Sequence, residues 1–168
     1  MTVKEAIETR RSVRSYSSKP VEEALLREVL EAGRLAPSAS NQQKWKFILV
    51  RDPEKLAALY EASERQQSVK EAPAAIVAVA TASYDMSCGE RTAPVDTSIA
   101  FSFMLLRAQE LGLGTCWLGH FFPEQVRAAL AIPEDVEIVA VTPIGYPAET
   151  PEARPRLPFD EVVSYEKY

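Results

Sequence analysis

Arg10, Arg11 and Arg14 fall within five positions, with Ser12 between them. Guanidinium groups fork onto phosphate oxygens two at a time and a serine hydroxyl adds a further donor, so these residue types suit a phosphomonoester. The 168-residue chain has a net charge of −5, so an anionic ligand must find a local basic cluster. The same balance argues against broad attraction to nucleic acid or to an anionic membrane face. The competing reading is a solvated basic turn that complements a helix C-terminus, and by charge alone it is the commoner outcome. A second basic pair, Arg154 and Arg156, lies in an Arg-Pro-Arg run whose proline limits backbone freedom. Ion pairs to Asp160 or Glu161 are its alternative.

Ser38-Ala39-Ser40-Asn41-Gln42-Gln43 offers short donors and acceptors suited to the edge of a heteroaromatic ring, or else forms a plain connecting loop. Trp117-Leu118-Gly119 combines an apolar wall with turn amides that suit a planar ring, with a core tryptophan as the alternative. Gly112 and Gly114 follow a helical segment and lack a third glycine, so they make no dinucleotide-binding fingerprint. Cys88 and Cys116 show no CxxC spacing, which fits a reducing cytoplasm and gives neither a disulfide framework nor, with a single histidine, a metal-ligand set. That histidine, His120, reads as structural or surface, while its place directly after Gly119 keeps a proton-donor role open. Cys116 reads as core. Chemistry is therefore expected from a cofactor rather than from side chains.

One domain is expected, because 46 % hydrophobic side chains over this length can bury a core. Thr2-Val3-Lys4-Glu5 has capping-box spacing and predicts a short helix through Ile7 to about Thr9, so that the arginines follow its end. From Val21, Leu25, Val29 and Ala32 repeat at helical period with Leu26, Leu30 and Gly33 beside them, until Pro37 closes the helix. The loop at 37–43 leads into a strand at Trp45–Val50, and Asp52-Pro53 starts a helix to about Ser63. Glu64 to Glu71 is polar and expected to be mobile. Ala74–Thr81 is a continuous run of small and β-branched residues, which predicts a central strand buried on both faces.

After an irregular stretch at Ser83–Val95, a long helix is predicted from about Asp96 to Leu111. It is apolar nearly all round at Ile99–Leu106 and is expected in mid-core. Thr115–Gly119 reads as a short strand and turn, Phe122-Pro123 as the start of a helix to about Leu130, and Val136–Gly145 as a strand. These elements point to an α+β fold, a mixed sheet covered by helices. The proline-rich tail 147–168, with Val162-Val163 as its apolar pair, is expected to add a strand to another subunit and so to favour a homodimer. The polar N-terminus, and a longest apolar stretch well under the roughly 20 residues that span a bilayer, predict neither export nor a membrane span, hence a cytoplasmic protein.

In their order along the chain, these segments resemble the nitroreductase family of FMN-dependent enzymes. Arg10-Arg11-Ser12-Val13-Arg14 is similar to the family's Arg-Ser-x-Arg signature, and Ala36-Pro37-Ser38-Ala39-Ser40-Asn41-Gln42-Gln43 to its Ala-Pro-Ser-x-x-Asn-x-Gln loop. Gly112-Leu113-Gly114-Thr115-Cys116-Trp117-Leu118-Gly119 is similar to its Gly-Leu-Gly-x-x-Trp-x-Gly turn. Ile144-Gly145-Tyr146-Pro147-Ala148-Glu149, followed by Arg154-Pro155-Arg156, resembles its C-terminal signature.

The resemblance implies a homodimer in which Arg10, Ser12, Arg154 and Arg156 hold the FMN phosphate with Arg11 close by. Arg14 would reach the ribityl chain or pyrimidine edge, where a cation stabilises reduced flavin. Pro37, Ser38, Ala39, Ser40, Asn41 and Gln43 would bind the cofactor from the partner subunit, and Trp117, Leu118 and Gly119 would line the isoalloxazine. No side chain is implied as catalytic: the flavin takes a hydride from NADH or NADPH and passes electrons to a small acceptor, such as a nitroaromatic or quinone, in ping-pong order. The chain is short for the family, which implies little insertion over the flavin and broad acceptor choice. It has Ser102-Phe103 where members often carry an acidic or amide residue and then asparagine. Dehalogenation, flavin fragmentation or peptide oxidation on the same fold, or a cofactor-free interaction module, are the alternatives.

Overall fold

The computed structural model describes all 168 residues. Strand β2 (Ala74–Ala80) lies at the centre, with all seven residues buried. It pairs antiparallel with β1 (Trp45–Val50) on one side and β4 (Glu137–Gly145) on the other, and β3 (Gly114–Thr115) completes the order β1-β2-β4-β3. Successive side chains of a strand point to opposite faces. Ala75, Val77 and Val79 therefore enter one core while Ala74, Ile76 and Ala78 enter another. Leu59, Val69 and Val126 close the first from α3 (Pro53–Ala62), α4 (Gln67–Glu71) and α6 (Pro123–Leu130). Leu26, Val29, Phe101, Met104 and Ala108 close the second from α2 (Glu23–Arg34) and α5 (Thr92–Glu110). A small-residue β2 is what lets helices press on both faces of one strand.

The α+β class and the helix-covered sheet are as expected. All three strand pairings are antiparallel, and parallel pairing is confined to an isolated Ser12–Thr115 bridge. Residues 67–71, expected to be mobile, form α4 and bury Ser68 and Val69. The long helix starts at Thr92 rather than Asp96, because Pro94 sits in the first turn, where a missing N–H costs nothing. It is also not enclosed on every side. Ala100, Phe101, Met104 and Leu105 are buried, but Phe103 is 44 % exposed and Ile99 and Leu106 only half-buried. In the tail, Val162 ends a one-turn helix, α7 (Phe159–Val162), so the expected strand at Val162-Val163 does not form within the single chain. No helix is long and apolar enough to cross a membrane.

The capping box forms as read: Thr2 N donates to Glu5 Oε2 at 2.6 Å and Glu5 N to Thr2 Oγ1 at 3.2 Å, starting α1 (Val3–Thr9). Beyond α1 the chain runs along the outer edge of β3, where Val13 N donates to Thr115 O at 2.9 Å. Gly114 permits this approach, since a Cβ there would lie 2.8 Å from Val13 Cβ. Val13 is β-branched and buried, so it cannot swing clear. Gly114→Ala is accordingly expected to cost about 1–3 kcal/mol through overpacking, measured as a lower urea or thermal midpoint. An unchanged midpoint would mean that Val13 gives way.

Candidate functional site

Two segments far apart in sequence meet at one cavity of about 840 Å³, lined by Arg10, Arg11, Ser12 and Arg14 after α1 and by Arg154 and Arg156 from the tail. The molecule has ten ion pairs, none of which uses these five guanidiniums. Asp160 and Glu161, the alternative partners for the tail pair, are not engaged. Glu8 and Glu152 also line the cavity, but neither pairs with an arginine there, so five cations outnumber two carboxylates, and bidentate guanidinium donors with a serine hydroxyl match phosphate oxygens. Arg14 Nη1 donates to Ser12 O at 3.3 Å, and Arg11 is the more firmly committed of the two. Its Nη1 donates to Glu8 O at 2.8 Å and to Arg10 O at 2.9 Å, so the helix-end reading of the cluster holds for this one residue.

The backbone between the arginines and β4 is held by acceptors that local sequence does not announce. Glu149 Oε1 accepts from Arg14 N at 2.6 Å and from Ser15 N at 3.1 Å. Glu71 Oε2, at the end of α4, accepts from Tyr16 N at 3.1 Å. A hydrogen bond from the Gln67 side chain, then the Tyr16 N–H and the Ser15 side chain, hold the Glu71 carboxyl below its ordinary pKa. The Tyr16 hydroxyl donates to Val13 O at 2.7 Å, and burial pushes the phenol up, so it stays a donor. Tyr16 also pairs with Pro147, which lays the start of the tail beside the arginine segment.

Pro37, Ser38, Ala39, Ser40, Asn41 and Gln43 do not line the arginine cavity within one chain. They form a separate, mostly exposed loop over a 3₁₀ turn at Ala39–Asn41. Ser40, Asn41 and Gln43 are left-handed at φ 50°, 53° and 53°, a conformation that costs residues with a Cβ. Two anchors hold it: Ala39 N donates to the buried Asp96 carboxylate at 3.1 Å, and Gln43 N to Ser38 Oγ at 3.0 Å. Asp96, known from sequence only as a helix start, thus fixes a loop 57 residues away.

Trp117 is half-buried and meets Phe101 edge to face, ring centroids 4.8 Å apart. Leu118 is buried and bridges to Val141, and Gly119 is exposed with nothing within 4 Å of where a Cβ would stand. The turn therefore offers one edge of an indole and an open backbone. Cys116 is buried, as expected of a core thiol. His120 points to solvent and pairs with Glu64 at 2.5 Å.

Comparison with known proteins adds an independent finding. The model of the nitroreductase family matches residues 7–89 and 63–146. A protein of Methanothermobacter thermautotrophicus, provisionally named NADH dehydrogenase/NAD(P)H nitroreductase, is 40 % identical over 158 residues, 92 % of this chain and 82 % of its own length. The Bacillus subtilis protein named FMN reductase (NAD(P)H) is 29 % identical over 176 residues, covering 94 % of this chain and 71 % of its own. The crystal structure of a nitroreductase family protein from Clostridium difficile 630 superposes with a TM-score of 0.90 at 30 % identity, covering 100 % of this chain and 99 % of that one.

Proposed function

Since the chain belongs to the nitroreductase family, we propose that its arginine-lined cavity holds the phosphate of FMN and that it works as an NAD(P)H-dependent flavin oxidoreductase. The observation that carries this is the convergence of five guanidiniums from two distant segments with no carboxylate partner. Bound FMN supplies hydride acceptance from NADH or NADPH and electron delivery to a small acceptor such as a nitroaromatic or quinone, in ping-pong order. Arg10, Ser12, Arg154 and Arg156 hold the phosphate, Arg11 shores up the end of α1 beside them, and Arg14 supplies positive charge toward the ring. Trp117, Leu118 and Gly119 line the ring, and the polar loop from Pro37 to Gln43 closes the site from a second subunit.

A homodimer accounts for two features that a single chain leaves open. One is the apolar face of α5 with its exposed Phe103; the other is the tail, where Leu157, Phe159, Val162 and Tyr165 are all exposed. Exposed large apolar groups gathered on one molecule mark an interface.

The test is spectroscopic. The purified protein is expected to be yellow, with FMN released on denaturation, and anaerobic NADH or NADPH is expected to bleach the flavin band. Failure to bleach with either nicotinamide removes the oxidoreductase reading, and light scattering at a monomer's mass removes the shared site.

A further inference from the structure

Resting on the reading of the arginine cavity as an anion site, we propose that Glu149 is the positioning residue that holds the cavity's two arginine segments in register. Its place in the tail makes it the last fixed point before the cavity. Ser17 N donates to Tyr146 O at 2.9 Å and Ala148 N to Ser15 O at 3.0 Å, so residues 146–148 lie along 15–17. Pro147 faces Tyr16 where the ladder uses no N–H, but past Ala148 no further backbone bond forms, and Pro151 has no N–H to offer one. At that point the Glu149 carboxylate takes over, accepting the Arg14 and Ser15 N–H groups on a single oxygen. From Thr150 to Leu157 no backbone hydrogen bond ties the tail to the rest of the chain, and neither Arg154 nor Arg156 makes a side-chain one. The placement of those two arginines opposite Arg10 and Arg14 thus depends on the clamp that precedes them.

The charge of Glu149 sets up a test of sign. A carboxylate hydrogen-bonded to the backbone of the arginine segment opposes the binding of an anion beside that segment, so on electrostatics alone its removal strengthens phosphate binding. If Glu149 positions the segments, Glu149→Ala weakens binding instead. Glu149→Gln keeps a side-chain oxygen that can accept the same two N–H groups while losing the charge.

The experiment measures FMN and inorganic phosphate affinity of the full-length protein, wild type beside Glu149→Ala and Glu149→Gln. Thermal midpoints and hydrogen exchange of the ligand-free proteins over residues 12–17 accompany it. Glu149→Ala is expected to bind both probes about tenfold or more weakly and to exchange the Arg14 and Ser15 amides faster. Glu149→Gln is expected to stay within about threefold of wild type, a difference under 1 kcal/mol. Affinity in Glu149→Ala that is unchanged or higher overturns the proposal, as does a lowered midpoint with intact affinity, which would make Glu149 a purely structural residue. A wild type that binds neither probe defeats the anion-site reading instead. In that case the exchange rates still decide whether Glu149 fixes the segment.

Discussion

Arg10→Ala is expected to weaken FMN binding by about 10- to 150-fold, the range for losing one charge-assisted contact of roughly 1.5–3 kcal/mol. The full effect is expected because Arg10 has no other bond to keep: its guanidinium makes neither an ion pair nor a side-chain hydrogen bond in the chain. Arg11→Ala gives the internal contrast. The Arg11 guanidinium is committed to the carbonyls of Glu8 and Arg10, so its loss should fall more on the end of α1 than on the ligand. Pairing Arg10→Ala with Arg154→Ala removes one cation from each wall of the same cavity, and the two losses need not add, since both act on one phosphate. Flavin content after gel filtration and titration of the apoprotein measure each variant. Full flavin occupancy in the double variant would take the phosphate out of this cavity.

Phe101→Ala carries the largest expected cost in stability. Phe101 is wholly buried beneath β2 and β4, and truncating a core phenylalanine costs about 3–5 kcal/mol in lost transfer energy and cavity. For a chain of this size that lowers the thermal midpoint by about 6–20 °C. The substitution also removes the ring against which Trp117 rests edge-on, so the indole loses its seat as the fold loosens. Trp117 fluorescence, read in a Trp45→Phe background, should shift to the red well below the global transition. A blue-shifted, unchanged emission would mean that Trp117 is held by other neighbours.

The layout of the core was legible where hydrophobic period carries the information. Ala74–Thr81 read as a buried central strand and forms β2, and Trp45–Val50 and the Asp52-Pro53 helix start also stand where the residues put them. Strand direction was not legible, since it depends on which elements become neighbours and leaves no mark on the residues of a single strand. Gln67–Glu71 escaped because a polar five-residue helix owes its order to Val69 packing under β2, a tertiary effect. The site divides along the same line. Arginine and serine types reveal a taste for phosphate wherever they stand, but Glu71, Asp96 and Glu149 act on backbone N–H groups 55 to 135 residues away, and no spacing rule reaches that far. Glu149 stood inside a recognised motif without a role until its partners were seen.

The loop from Ser38 to Gln43 carries a further implication through its three left-handed residues. Holding a residue with a Cβ there costs about 1–2 kcal/mol, less for Asn, and the cost is met when the chain folds, with Asp96 and Ser38 as the restraints that meet it. A ligand arriving at this loop therefore finds its amide groups already ordered. The entropy of freezing them is charged to folding and is absent from the affinity.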